Sequence, residues 1–141
     1  MNPNFALGWQ QGAWVQIFLG NHHTALEYVR QFERLSPFDP QVRYGKLQST
    51  LVHIFQGHYE EAAQSAEKIV GEFPAFTPGW RLLAVSKALA GDVASANIAT
   101  KKALELAPSQ TASALALFMP LRRTIDVERL KEGYIRAGFP P

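Results

Sequence analysis

No cysteine occurs among the 141 residues, which removes a disulfide framework, a thiolate metal site and a cysteine nucleophile together. The absence also agrees with a reducing compartment. No apolar run approaches the roughly 18 residues of a membrane-spanning helix, and Met1-Asn2-Pro3-Asn4 has no secretory signal character. A soluble, cytoplasmic protein is expected, with no membrane partner. Excess charge is scarce as well, because 14 Lys and Arg stand against 12 Asp and Glu, a net +2. The surplus falls entirely in residues 121–141, where Arg122, Arg123, Arg129, Lys131 and Arg136 outnumber Asp126, Glu128 and Glu132. A nucleic-acid binder shows a broader basic stripe, so nucleic acid is not the expected partner. Glu128 with Lys131, and Glu132 with Arg136, have the spacing that neutralises charge along one helix. That leaves Arg122 and Arg123 as the pair on which any phosphate contact would depend.

What is plentiful is proline. Nine prolines sit badly with helix, whose interior each would destabilise by about 3 kcal/mol, unless they mark boundaries. They do keep time. Pro37, Pro74 and Pro108 are spaced by 37 and 34 residues, as are Gly20, Gly57 and Gly91, and Ala25, Ala62 and Ala96. Three residue types sharing one spacing indicate internal repeats. Pro3, Phe5, Gly8 and Trp9 match Pro74, Phe76, Gly79 and Trp80 at identical offsets. Pro3 is therefore expected in the place of a repeat-ending proline, with a neighbouring segment before Met1 in a longer chain.

Each unit reads as two helices with apolar residues at helical spacing. The units are predicted over 5–37, 40–74 and 77–108, with further helices over 109–119 and 126–138, in a single domain of residues 1–141. Gly20, Gly57 and Gly91 suit left-handed helix ends, Asp92 an N-cap, and Asp126 the cap of the last helix. Ala13, Thr50 and Ala84 recur in first helices, and Ala25, Ala62 and Ala96 in second helices. Small side chains at both let the paired helices approach closely. Ala114, Leu117 and Phe118 give the segment after Pro108 an apolar face, expected to cover the exposed end of the third unit.

These residues resemble the tetratricopeptide repeat, a 34-residue helix–turn–helix unit. The third unit fits best, through Trp80, Leu83, Ala84, Gly91, Ala96, Ala103 and Pro108. The first has Gly12 where leucine is usual, and the second Lys46 in the tryptophan place. The resemblance implies an all-α, right-handed α-α superhelix of three helix-pair repeats with a C-terminal capping pair. Asn2-Pro3-Asn4-Phe5-Ala6-Leu7, Leu35-Ser36-Pro37-Phe38-Asp39-Pro40, Glu128-Arg129-Leu130-Lys131-Glu132-Gly133 and Arg136-Ala137-Gly138-Phe139-Pro140 carry a more particular similarity. They resemble the C-terminal repeat region of bacterial class III adenylate/guanylate cyclases and related winged-helix transcriptional regulators. In those proteins a cyclase or DNA-binding module lies upstream.

Catalytic chemistry finds little support. His22 and His23 are adjacent and project apart, His53 and His58 have no third ligand near in sequence, and Glu60-Glu61 suit a solvated helix start. No phosphate-binding glycine loop, nucleophile elbow or H-E-x-x-H occurs. No catalytic, cofactor-binding or metal-binding residue is assigned, no cofactor is expected, and the chain is read as non-enzymatic. The resemblance instead implies an inner groove lined by first helices, with Gln10, Gln11, Trp14, Phe18, Tyr44, Leu47, Gln48, Leu51, Arg81, Leu82 and Val85 as candidate contacts. The family's clamp for C-terminal carboxylates uses Lys and Asn where Gln10 and Trp14 stand. An amphipathic helix or extended apolar segment of a partner protein therefore fits better. The alternative is an intramolecular packing or homodimerisation domain for an upstream module, with no separate ligand.

Overall fold

The structure, a computed structural model, describes residues 3–141, with side chains from Phe5 onward. Met1 and Asn2, with which the opening motif begins, lie outside the described residues. Eight helices and no strand are found among the described residues: α1 (Pro3–Leu19), α2 (His22–Leu35), α3 (Val42–Phe55), α4 (Tyr59–Glu72), α5 (Thr77–Leu89), α6 (Val93–Leu106), α7 (Ala112–Phe118) and α8 (Thr124–Ala137). The fold is all-α.

Glycine closes each of the first three pairs. Gly20, Gly57 and Gly91 have φ of 87°, 80° and 93°, a left-handed backbone that an L side chain resists. The chain reverses there within a few residues, so α1 lies against α2, α3 against α4, and α5 against α6. The Asp92 side chain accepts the Ser95 amide at 3.1 Å and caps α6 as expected. Proline stays out of helix interiors: Pro37, Pro40, Pro74, Pro108, Pro120, Pro140 and Pro141 are non-helical, and Pro78 lies in the first turn of α5. Pro3 departs from its expected place. It opens α1 instead of preceding it, a position where the missing amide proton costs little.

Ala13, Thr50 and Ala84 are fully buried, and so are Ala25, Ala62 and Ala96. Successive pairs then stack, α2 on α3 and α4 on α5, while the first helices touch in the order α1, α3, α5. The unusual residues of the first two units are accommodated locally. The Tyr28 ring occupies the space a side chain at Gly12 would need and meets Trp9 edge-on at 5.0 Å. Lys46 pairs with Glu72 at 3.0 Å, where Trp80 in the third unit donates to the Pro74 carbonyl at 2.8 Å.

The C-terminal helices depart most from expectation. α7 begins only at Ala112, because the Thr111 hydroxyl accepts the Ala114 amide and sets the start there. Its buried side chains are Ala112 and Ala116, while Ala114 is exposed and Leu117 and Phe118 are 73% and 81% exposed. The apolar face expected to cover the third unit is thus left largely open to solvent. The α8 helix does not simply stack beyond α6. The chain after α7 returns to the α1–α2 turn, and α8 then runs along the array from that turn at its N-terminus to α6 at its C-terminus. The Arg122 amide donates to the Phe18 carbonyl at 2.8 Å, and Arg123 covers Gly20. The Arg129 guanidinium reaches the Ile54 and Phe55 carbonyls at the end of α3, where a cation satisfies helix-terminal acceptors. Gly133 lets α8 close on Val85 and Leu89 of α5, since a Cβ there would lie 2.6 Å from Val85 Cγ1. The Thr100 hydroxyl donates to the Ala137 carbonyl at 2.8 Å. One hydrophobic core results, continuous from Ile17 to Phe139.

Asp126 does not cap α8 either. Arg123 takes the N-cap position, and Asp126, 1% exposed, turns inward to His22 at 3.4 Å. His22 stacks on Phe55 at 5.4 Å. Burial holds its imidazole below the ordinary pKa, aided by Arg123 and Arg129 and opposed by Asp126.

Candidate functional site

The first helices and the returning C-terminal segment together line an open-sided cavity of about 550 Å³, within the size range of ligand pockets. Trp14 and Phe18 of α1 are stacked at 5.9 Å and form one wall with Gln11. Tyr44, Leu47 and Leu51 of α3 form the floor, and Pro78, Arg81 and Leu82 of α5 the opposite wall. Helical periodicity explains the alignment, because residues three and four apart share a face. Leu47, Leu51 and Leu82 are core side chains whose tips reach the cavity. Tyr44 is braced from behind by Phe76, edge-on at 5.4 Å.

Eight of the eleven expected contact residues therefore line one space: Gln11, Trp14, Phe18, Tyr44, Leu47, Leu51, Arg81 and Leu82. The other three do not. Gln10 donates from Nε2 to the Gln41 carbonyl at 3.1 Å, and Gln48 donates to the Gln10 carbonyl at 2.8 Å. These two amides tie α1 to α3, and Gln48 is fully buried. Val85 is sealed beneath Gly133 of α8.

Leu115, Phe118, Met119 and Tyr134 complete the lining along with Pro78, none of them among the contacts expected from the sequence. Leu115 and Tyr134 lie on helical faces whose apolar character is visible in the sequence. Nothing there shows that those faces meet α1, α3 and α5. Because α7 and α8 contribute, the inner surface is a partly closed cavity and not an open trough.

Polar groups are few at this site. The Arg81 guanidinium donates to Gln110 Oε1 at 3.1 Å and has no carboxylate partner among the described residues. Gln110 is itself held by donating to the Ala103 and Ala107 carbonyls at 2.9 and 2.7 Å. Tyr134 is 3% exposed. Burial pushes its phenol up to about 12, against the pull of nearby Arg81, so the hydroxyl keeps its proton at neutral pH.

Elsewhere the titratable groups stay apart. No cluster of three or more His, Asp or Glu able to hold a metal occurs among the described residues. The His53 and His58 rings lie 6.1 Å apart, and His23 pairs with Glu27 on an exposed helix face. Glu132 and Arg136 form the expected ion pair at 2.5 Å. None of the helices among the described residues is long and apolar enough to cross a membrane. Comparison with protein-family models and with curated proteins returned no match, which leaves the residues themselves to carry any functional reading.

Proposed function

We propose that this chain is a non-catalytic interaction module, a right-handed array of three tetratricopeptide-type helix pairs closed by a returning C-terminal helix. Its cavity would take the apolar anchor of a partner protein segment. One observation carries the reading: side chains at related positions of three successive first helices converge on a single apolar space of about 550 Å³. A few bulky anchors seated in such a space supply most of the energy when a segment docks. The sequence resemblance supports a regulatory role within a bacterial signalling protein in the cytoplasm.

A second reading, a packing domain for an adjoining module, is favoured by the outer face of α1. At one repeated position, Gly45 is pressed on Phe32 and Gly79 on Ile69, whereas nothing described lies within 4 Å of the space beside Gly8. Val15, equivalent to the buried Val52, is 51% exposed.

Panning a displayed peptide library on the chain, and on its Leu115→Trp variant, distinguishes the two. Leu115 is half-buried at the cavity lining, so a tryptophan indole there should project into the space and obstruct it. Enriched peptides with a bulky apolar anchor, which bind the parent and lose at least about tenfold in affinity on Leu115→Trp, support the cavity. Peptides that bind both chains equally, or no enrichment at all, favour the packing domain.

A further inference from the structure

The cavity has a direction. The first helices touch in the order α1, α3, α5, so Trp14 and Phe18 stand at one side and Arg81 at the other, with the leucines of α3 between them. The apolar side holds no charge. The α5 side holds one, and Arg81 spends only a single donor, on neutral Gln110. Next to it lies the Tyr134 phenol, 3% exposed, which makes no hydrogen bond among the described residues. A guanidinium bordering apolar walls is poorly hydrated and favours an anion, above all a planar carboxylate that can accept two parallel hydrogen bonds. A protonated phenol beside it offers a further donor of the right sign.

We infer that the cavity binds a long-chain aliphatic carboxylate, with its head group on Arg81 and Tyr134 and its chain laid across Leu47 and Leu51 toward Trp14. This rests on the cavity being a binding site at all, as proposed above, and adds the chemistry of its occupant. The chain would displace water from aromatic and aliphatic surface, and the head group would answer the one uncompensated charge. Such a ligand competes with a partner segment for the same space, so the amphiphile would control access to it.

The test is titration of the full chain with dodecanoate, dodecanol and dodecyltrimethylammonium, the two ions below their micelle-forming concentrations and the alcohol below its solubility limit. Binding is followed by calorimetry and by the fluorescence of Trp14, with Trp9 and Trp80 replaced by phenylalanine. Dodecanoate should bind at one saturable site, at least about tenfold more tightly than dodecanol, as expected for a charge-assisted contact. Arg81→Gln should weaken dodecanoate far more than dodecanol and so remove most of that preference, and Arg81→Lys should restore part of it. Tyr134→Phe should weaken dodecanoate by a smaller factor. Equal binding of dodecanoate and dodecanol, or tighter binding of the cation, overturns the inference and leaves the apolar site standing. Failure of all three compounds to saturate overturns both.

Discussion

The six helices of the three pairs and the two that follow them obey different rules. From α1 to α6 the packing within a pair is made three times over and the packing between pairs twice. Glycine with positive φ reverses the chain, and fully buried small residues bring each pair together. From α7 to α8 no contact repeats. His22 meets Asp126, Arg129 meets the end of α3, Gly133 meets α5, and Thr100 meets the end of α8. Repeated contacts build the wall of the cavity, and unrepeated ones close it. The closing segment is where this chain departs from a plain stack of helix pairs.

The largest effect is expected at Gly133. Gly133→Val would drive a branched side chain into Val85 and Leu89, and overpacking of this kind costs about 3 kcal/mol. Gly71→Val, in the open on α4, serves as the control in the same urea titration. Within the repeated region, Ala62→Leu should cost about 2 kcal/mol by splaying α3 from α4. Thermal melts of equivalent Ala25 and Ala96 variants should give losses of similar size. A smaller effect separates Gly20 from Gly57. Both hold positive φ, so alanine at either costs about 1 kcal/mol. Only Gly20→Ala must also displace the Arg123 side chain, and it should therefore be the worse by a few tenths. Equal losses would mean that Arg123 does not rest on the turn.

The gentlest probe is pH. Burial keeps the His22 and His53 imidazoles below their ordinary value, so the unfolded chain takes up protons first. Stability is fully present above about pH 6.5, the unperturbed histidine value, and declines as the pH falls below it. His22→Asn should flatten that decline. A melting temperature that rises on acidification would show His22 to be charged beside Asp126.

The first six helices were legible because their signals are local. Periodicity places α1 to α6 within a few residues, and Gly20, Gly57 and Gly91 announce their ends. The site was legible in part for the same reason: a repeat register puts Trp14, Leu51 and Leu82 on related faces. Gln10 and Gln48 misled because an amide looks alike whether it awaits a ligand or reaches a neighbouring carbonyl. Asp126 misled because an acidic residue near a helix start is the ordinary sign of a cap. The place of α8 could not be read at all. Its partners lie 74 residues away at Phe55 and further still at His22, and no period in the chain encodes such pairings.

The return of α8 along the array is the central claim, and one distance tests it. The chain has no cysteine, so His23→Cys and Glu128→Cys, both at exposed positions, can carry a spin-label pair without interference. Neighbouring helices pack 8–10 Å apart, so a returned α8 places the labels within about 20 Å in one narrow distribution. A C-terminal pair stacked only beyond α6 would add several interhelical steps and give roughly 30 Å or more. The short distance is expected, and the long one would contradict the return of the chain to the first unit.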